Sequence, residues 1–113
     1  MTVNVSNGDN EPPTVDIVKP ENSIYIFNRK ILPNAFPLII GEITIQAHAN
    51  DEQSGIAKVE FYIDNILKHT DIESPYEWLW DENAVGKHEI KAIAYDTAGN
   101  TADAEQEVWI FNI

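Results

Sequence analysis

Apolar and polar residues alternate with a period of two along most of this chain. From Ala57 the sequence reads AKVEFYID, with Val59, Phe61 and Ile63 on one side and Lys58, Glu60, Tyr62 and Asp64 on the other. That is the pattern of a strand buried on one face only. From Glu42, EITIQAHAND does the same and gathers Ile43, Ile45, Ala47 and Ala49. From Lys87, KHEIKAIAYD sets His88, Ile90, Ala92 and Ala94 on one face, although Ile93 and Tyr95 make its other face less polar. From Glu105, EQEVWIFNI opposes Val108 and Ile110 to Trp109 and Phe111. YEWLW puts Tyr76, Trp78 and Trp80 on one side, rings large enough to fill the roughly 10 Å between two packed sheets.

Turn residues fall between these runs. Asp64-Asn65 separates FYI from ILKHT and suits a two-residue hairpin, because both residues tolerate positive φ. Loops are read at Asn50–Gly55, Asp71–Pro75 and Asp96–Asn100. DENAVG has room for one short helical turn at most, and no capped apolar stripe of helical length occurs. The spacing predicts seven or eight strands, at about 14–19, 23–32, 38–50, 57–64, 66–71, 76–80, 87–95 and 101–111. Short strands at this spacing make an all-β antiparallel sandwich. The predicted core comprises Val15, Ile17, Ile43, Ile45, Ala47, Val59, Phe61, Ile63, Trp80, Ile90, Ala92, Ala94, Val108 and Ile110.

Length and composition narrow the class. With 113 residues the chain holds one domain and one core. Residues 1–12 read as a polar N-terminal linker and residues 13–113 as the domain. Met1 before such a linker, and an ending on the apolar run VWIFNI, suggest a segment cut from a longer protein. The formal net charge is −12. That works against nucleic acid, whose binding comes from neutralising phosphates, and against an anionic membrane surface. No stretch reaches the roughly 20 apolar residues of a membrane span. Cysteine is absent, which excludes disulfides, thiol catalysis and thiolate metal sites. No serine stands in a nucleophile elbow, and the many acid pairs lack a cleft to work in. His48, His69 and His88 lack the short spacing of a zinc site.

Three stretches resemble a known family: SGIAKVEFYIDNILKHTD, then SPYEWLWD, then GKHEIKAIAYDTAGNTA. Members of the bacterial Ig-like domain family carry, in this order, an aspartate before SGI-x-KVEFY, a short hairpin, a PY-x-x-x-W segment and a late H-x-I-x-A-x-A-x-D-x-x-GN. The opening PPTVDIVKPEN is similar to the family's start, so the resemblance covers roughly residues 12–113. It departs at SIYIFNRKILPNAFPLII, an apolar segment where the minimal pattern has a few polar residues. The resemblance implies an immunoglobulin-like β-sandwich with an extra strand or hairpin. It further implies a non-catalytic structural or adhesion module of a larger secreted or cell-surface protein, spacing or presenting neighbouring domains.

In such a sandwich the loops at 50–55 and 96–100 share a pole. That would gather Asp51, Glu52, Asp96 and Asn100, hard oxygens of the kind calcium takes. The competing reading is that these residues bond their own turns. No other cofactor is implied. Tyr62, Trp109 and Phe111 form a second candidate surface, since all three oppose the core side of their strands. Exposed, they would offer rings to a polysaccharide or protein partner, making the chain a carbohydrate-binding accessory module. The alternative, favoured on hydrophobic grounds, is that the segment at 23–40 folds over them.

Overall fold

The computed structural model describes residues 10–113, and residues 1–9 of the expected linker lie outside the described residues. Ten strands are described: β1 (Thr14–Lys19), β2 (Ser23–Ile26), β3 (Arg29–Pro33), β4 (Leu38–Ile40), β5 (Ile43–Asn50), β6 (Ile56–Ile63), β7 (Ile66–Asp71), β8 (Tyr76–Trp80), β9 (Ala84–Asp96) and β10 (Thr101–Asn112). They form two sheets. The longer has the order β3-β2-β4-β10-β9-β6-β7, the shorter β1-β5-β8. Neighbours are antiparallel, except that β4 runs parallel to both β2 and β10. DENAVG makes no helical turn, because Ala84–Gly86 already pair with Ile110–Asn112.

Ten strands replace the expected seven or eight because two predicted strands are each broken. The stretch 23–32 turns back on itself at Phe27-Asn28, with φ of 47° and 70°. Positive φ at both central residues gives the hairpin twist that matches the strands. Asp64-Asn65 repeats that geometry with φ of 50° and 67°, as its composition predicts. The stretch 38–50 breaks at Gly41, where φ is +86°. There the chain leaves the longer sheet after β4 and enters the shorter one as β5.

The Phe27 ring lies against Gly41, so a Cβ at position 41 would stand 2.6 Å from the Phe27 Cδ1. Both the left-handed backbone and the ring demand glycine. Gly41→Ala is therefore expected to lower stability by about 2 kcal/mol in urea unfolding. Adding Phe27→Ala should restore the part due to the clash and leave the part due to φ. Equal losses in the single and double variants would show that the ring plays no part.

The core sits between the sheets. Twelve of the predicted core residues are buried, from Ile43 through Ile110, and Val15 and Ile17 pack against them half-buried. Tyr25 and Ile39, from the first halves of the two broken strands, join the core at 1% and 0% exposure. Across the longer sheet Tyr25 pairs with Ile39 and Ile39 with Ile110, so one buried row runs through three strands. Asn28 locks the hairpin tip to the other sheet: its Oδ1 accepts from Thr44 N at 2.8 Å and its Nδ2 donates to Thr44 Oγ1 at 2.9 Å.

The segment 23–40 thus does not fold over the outer rings. It extends the longer sheet beside β10 instead. Backbone hydrogen bonding decides this: Trp109 N donates to Pro37 O and Gly41 N donates to Phe111 O, each at 3.0 Å. A sheet edge left unpaired would expose those groups, whereas capping a face would satisfy none of them.

Candidate functional site

Two regions hold the candidate residues: an acidic pole and the outer face of the longer sheet. At the pole, the β5–β6 and β9–β10 loops do meet. Thr97 N donates to Gly55 O at 3.0 Å and Thr97 Oγ1 to Ser54 O at 2.6 Å. The start of the domain joins them, since Gln53 Nε2 donates to Glu11 Oε1 at 2.6 Å.

The four predicted oxygens are used differently from one another. Asp96 is buried, at 2% exposure. Its Oδ1 accepts from Ala98 N at 3.0 Å and Asn100 N at 2.8 Å, and its Oδ2 accepts from Asn100 Nδ2 at 2.9 Å. Asn100 Nδ2 also donates to Glu11 O at 3.3 Å. Asp51 Oδ1 accepts from Gln53 N and Ser54 N, both at 2.9 Å, which makes an Asx turn. Asp51 and Glu52 line a cleft of about 390 Å³ with Glu11 and Thr14; Asp96 and Asn100 do not line it. Among the described residues, no group of three or more His, Cys, Asp or Glu side chains converges. His69 stacks on Phe61 at 6.3 Å, and His88 lies perpendicular to Trp80 at 5.9 Å while its Nδ1 is 2.6 Å from Asp64 Oδ2.

On the outer face the structure brings Trp109 and Phe111 together and leaves Tyr62 apart. Tyr62 pairs with Lys91 on β9, whereas Trp109 pairs with Lys87. Two strands across and four residues along put Tyr62 roughly 16 Å from Trp109 by strand spacing. Trp109 and Phe111 are 40% and 42% exposed. Register continues their rows into the added strands: Phe111 pairs with Ile40 and Ile40 with Ile26, while Trp109 pairs with Leu38 and Leu38 with Ile24.

Tyr62 belongs to a polar network that sequence reasoning missed. Its hydroxyl donates to Glu60 Oε1 at 2.8 Å, and the Tyr95 hydroxyl and Lys58 bond the same carboxylate. Lys58 Nζ sits 4.4 Å over the Tyr95 ring. Glu60 is therefore only 8% exposed although it lies on an outer face. The visible clue was Tyr95 on the supposedly polar side of its strand. Burial raises the Glu60 carboxyl, but hydrogen bonds from Tyr62, Tyr95 and Lys58 outweigh it and hold the pKa below 4.5. The bond to Glu60, with burial, pushes Tyr62 up from 10.0 to about 12.

Glu60 thus contributes stability above its ordinary pKa, lost as pH falls through the lowered folded value. Tyr62 contributes stability below pH 10.0, lost as pH rises through about 12. Ultraviolet titration of Glu60→Gln is expected to bring the late tyrosine transition down toward the ordinary value. An unchanged titration would mean that the carboxylate does not hold those hydroxyls.

The architecture defines an immunoglobulin-like sandwich module with its two ends at opposite poles. The profile of the bacterial Ig domain family matches residues 13–92, and the chain belongs to that family. Among solved structures it is similar to fibronectin(III)-like modules of CbhA from Clostridium thermocellum, with a TM-score of 0.66 and 29% identity over 89% of this chain and 46% of that one. It shares its fold with part of an endo-beta-1,4-mannanase from Thermotoga petrophila, with a TM-score of 0.63 and 14% identity over 96% of this chain and 22% of that one. The chain thus spans less than half the length of either. No curated protein matches it. Among the described residues no helix is long and apolar enough to cross a membrane.

Proposed function

We propose that the chain is a non-catalytic spacer of a larger secreted or cell-surface microbial protein, setting the distance and orientation of the domains beside it. One observation carries this reading: the domain begins at the pole of Glu11 and Gln53, and β10 runs from that pole to the other, where Asn112 Nδ2 donates to Glu82 O. A pull on the two ends is borne along a hydrogen-bonded sandwich rather than a flexible loop. Family membership supports it, as do similar modules lying within longer chains. The acidic surface supports it too, because like charge keeps copies of this same module soluble and apart.

A second reading, contact with polysaccharide, is supported by Trp109 and Phe111 standing exposed on one flat face. The rows around them hold Ile24, Ile26, Leu38, Ile40 and Val85, with Lys87 beside Trp109, and this apolar majority favours a protein partner.

The spacer reading is tested by small-angle scattering on a polypeptide carrying domains on both sides of this one. Swapping the domain for a Gly-Ser linker of equal length should replace one narrow spacing with a broad distribution of about the same mean. An unchanged distribution would remove the spacer role. Hydrolysis of any polysaccharide by the chain alone would remove its non-catalytic character.

A further inference from the structure

We propose that the outer face of the longer sheet, from β3 to β9, is the docking surface for a neighbouring folded domain of the same polypeptide; this rests on the spacer reading. The outward positions of β10 run Asp103, Glu105 and Glu107, and then change abruptly to Trp109 and Phe111. The change falls where β4 joins β10, and the added strands carry it on. Ile26, Ile40, Phe111 and Val85 form one row across four strands, at 38%, 40%, 42% and 59% exposure. Leu32 and Trp109 stand in the row beside it at 49% and 40%. Inward positions of the same strands are filled by Tyr25, Ile39 and Ile110, so the outer residues are not needed for the core. A solvated sheet face is mostly polar, whereas here Lys87, paired with Glu107, stands beside six exposed apolar side chains.

Area and charge select the occupant. With whole side chains of the 150–250 Å² class, the exposed parts of the patch come to on the order of 500 Å². A freely associating partner needs about 800 Å² a side, whereas contacts between domains of one chain are stable at about 600–1,500 Å² in total. Tethering supplies the difference, because a linked partner is present at roughly millimolar effective concentration. A second copy would bring another net charge of −12 against the first. Arg29 ends the Ile26 row at the free edge and makes no ion pair among the described residues. The fitting partner is thus apolar with an acidic group at its rim.

Thiol labelling tests this, since the chain has no cysteine of its own. Val85→Cys reports the patch, and Leu79→Cys, 41% exposed on the other sheet, is the control. In a polypeptide joining the chain to its adjoining domain, labelling at 85 should slow about tenfold relative to the chain alone, with 79 unchanged. Phe111→Glu should restore the fast rate without altering the melting midpoint. Equal labelling at 85 in both contexts would overturn docking while leaving the scattering result, and so the spacer role, standing. Loss of the narrow spacing in the linker experiment speaks to the spacer reading alone. Sedimentation of the chain as a dimer that Phe111→Glu dissociates would overturn the assignment in favour of a second copy. Retention on insoluble cellulose or mannan that Trp109→Ala abolishes would overturn it in favour of polysaccharide.

Discussion

Replacing Trp80 by alanine is expected to remove about 4 kcal/mol of stability, a large fraction of what a domain of this size possesses. Trp80 is 1% exposed and is the largest fully buried side chain. It closes the shorter sheet against Ile43, stacks on Trp78 at 6.3 Å, and lies perpendicular to the His88 ring at 5.9 Å. Several elements from both sheets would face the cavity, so collapse could fill little of it. At about 4–8 °C per kcal/mol the melting midpoint should fall by more than 15 °C. Urea unfolding should show the drop in midpoint without a change in slope. Trp80→Phe, which leaves a smaller void, should cost roughly half as much. A loss below about 1 kcal/mol would mean that the two sheets do not close around this ring.

Asp96→Ala is expected to cost somewhat less, about 3 kcal/mol. The buried carboxylate accepts from Ala98 N, Asn100 N and Asn100 Nδ2, and bonds to a charged group contribute about 1.5–3 kcal/mol each without adding fully. Its loop also carries Thr97, which ties β9–β10 to β5–β6, so the pole should loosen as a whole. Asp51→Ala removes only an Asx turn on a half-buried loop and should cost about 1 kcal/mol. The same pair of variants addresses calcium. Because the Asp96 and Asp51 oxygens already hold backbone N–H groups, the wild-type melting midpoint is expected to be equal in millimolar calcium and in EDTA. A rise in calcium that Asp96→Asn abolishes would make the pole a cation site instead of a pair of tied turns.

Much of this was legible because it is local. Strand parity assigned Val59, Phe61, Ile63, Ile90, Ala92 and Ala94 to the core, and all are buried. The Asp64-Asn65 turn was legible from two residues, and the meeting of the two loops at the pole followed from the family resemblance. The hairpin at Phe27-Asn28 was not, because phenylalanine is unusual at positive φ and the glycine its ring lies against, Gly41, is outside the hairpin. Asp96 read as a calcium oxygen or a residue bonding its own turn, and its burial comes from that turn folding around the carboxylate.

The alternation of side chains along a strand is a property of the backbone, so the sequence alone determined the all-β class, the core-facing residues and most turns. Which strands lie side by side is decided elsewhere. Ladder hydrogen bonds join backbone groups that every residue carries, so nothing in SIYI or PLII names its neighbour. Only the tertiary structure placed β4 parallel to β10, sent the chain across sheets at Gly41, separated Tyr62 from Trp109, and lined up Ile26, Ile40, Phe111 and Val85 in one exposed row. A row across strands is made of residues distant in sequence, and its members become neighbours only through register.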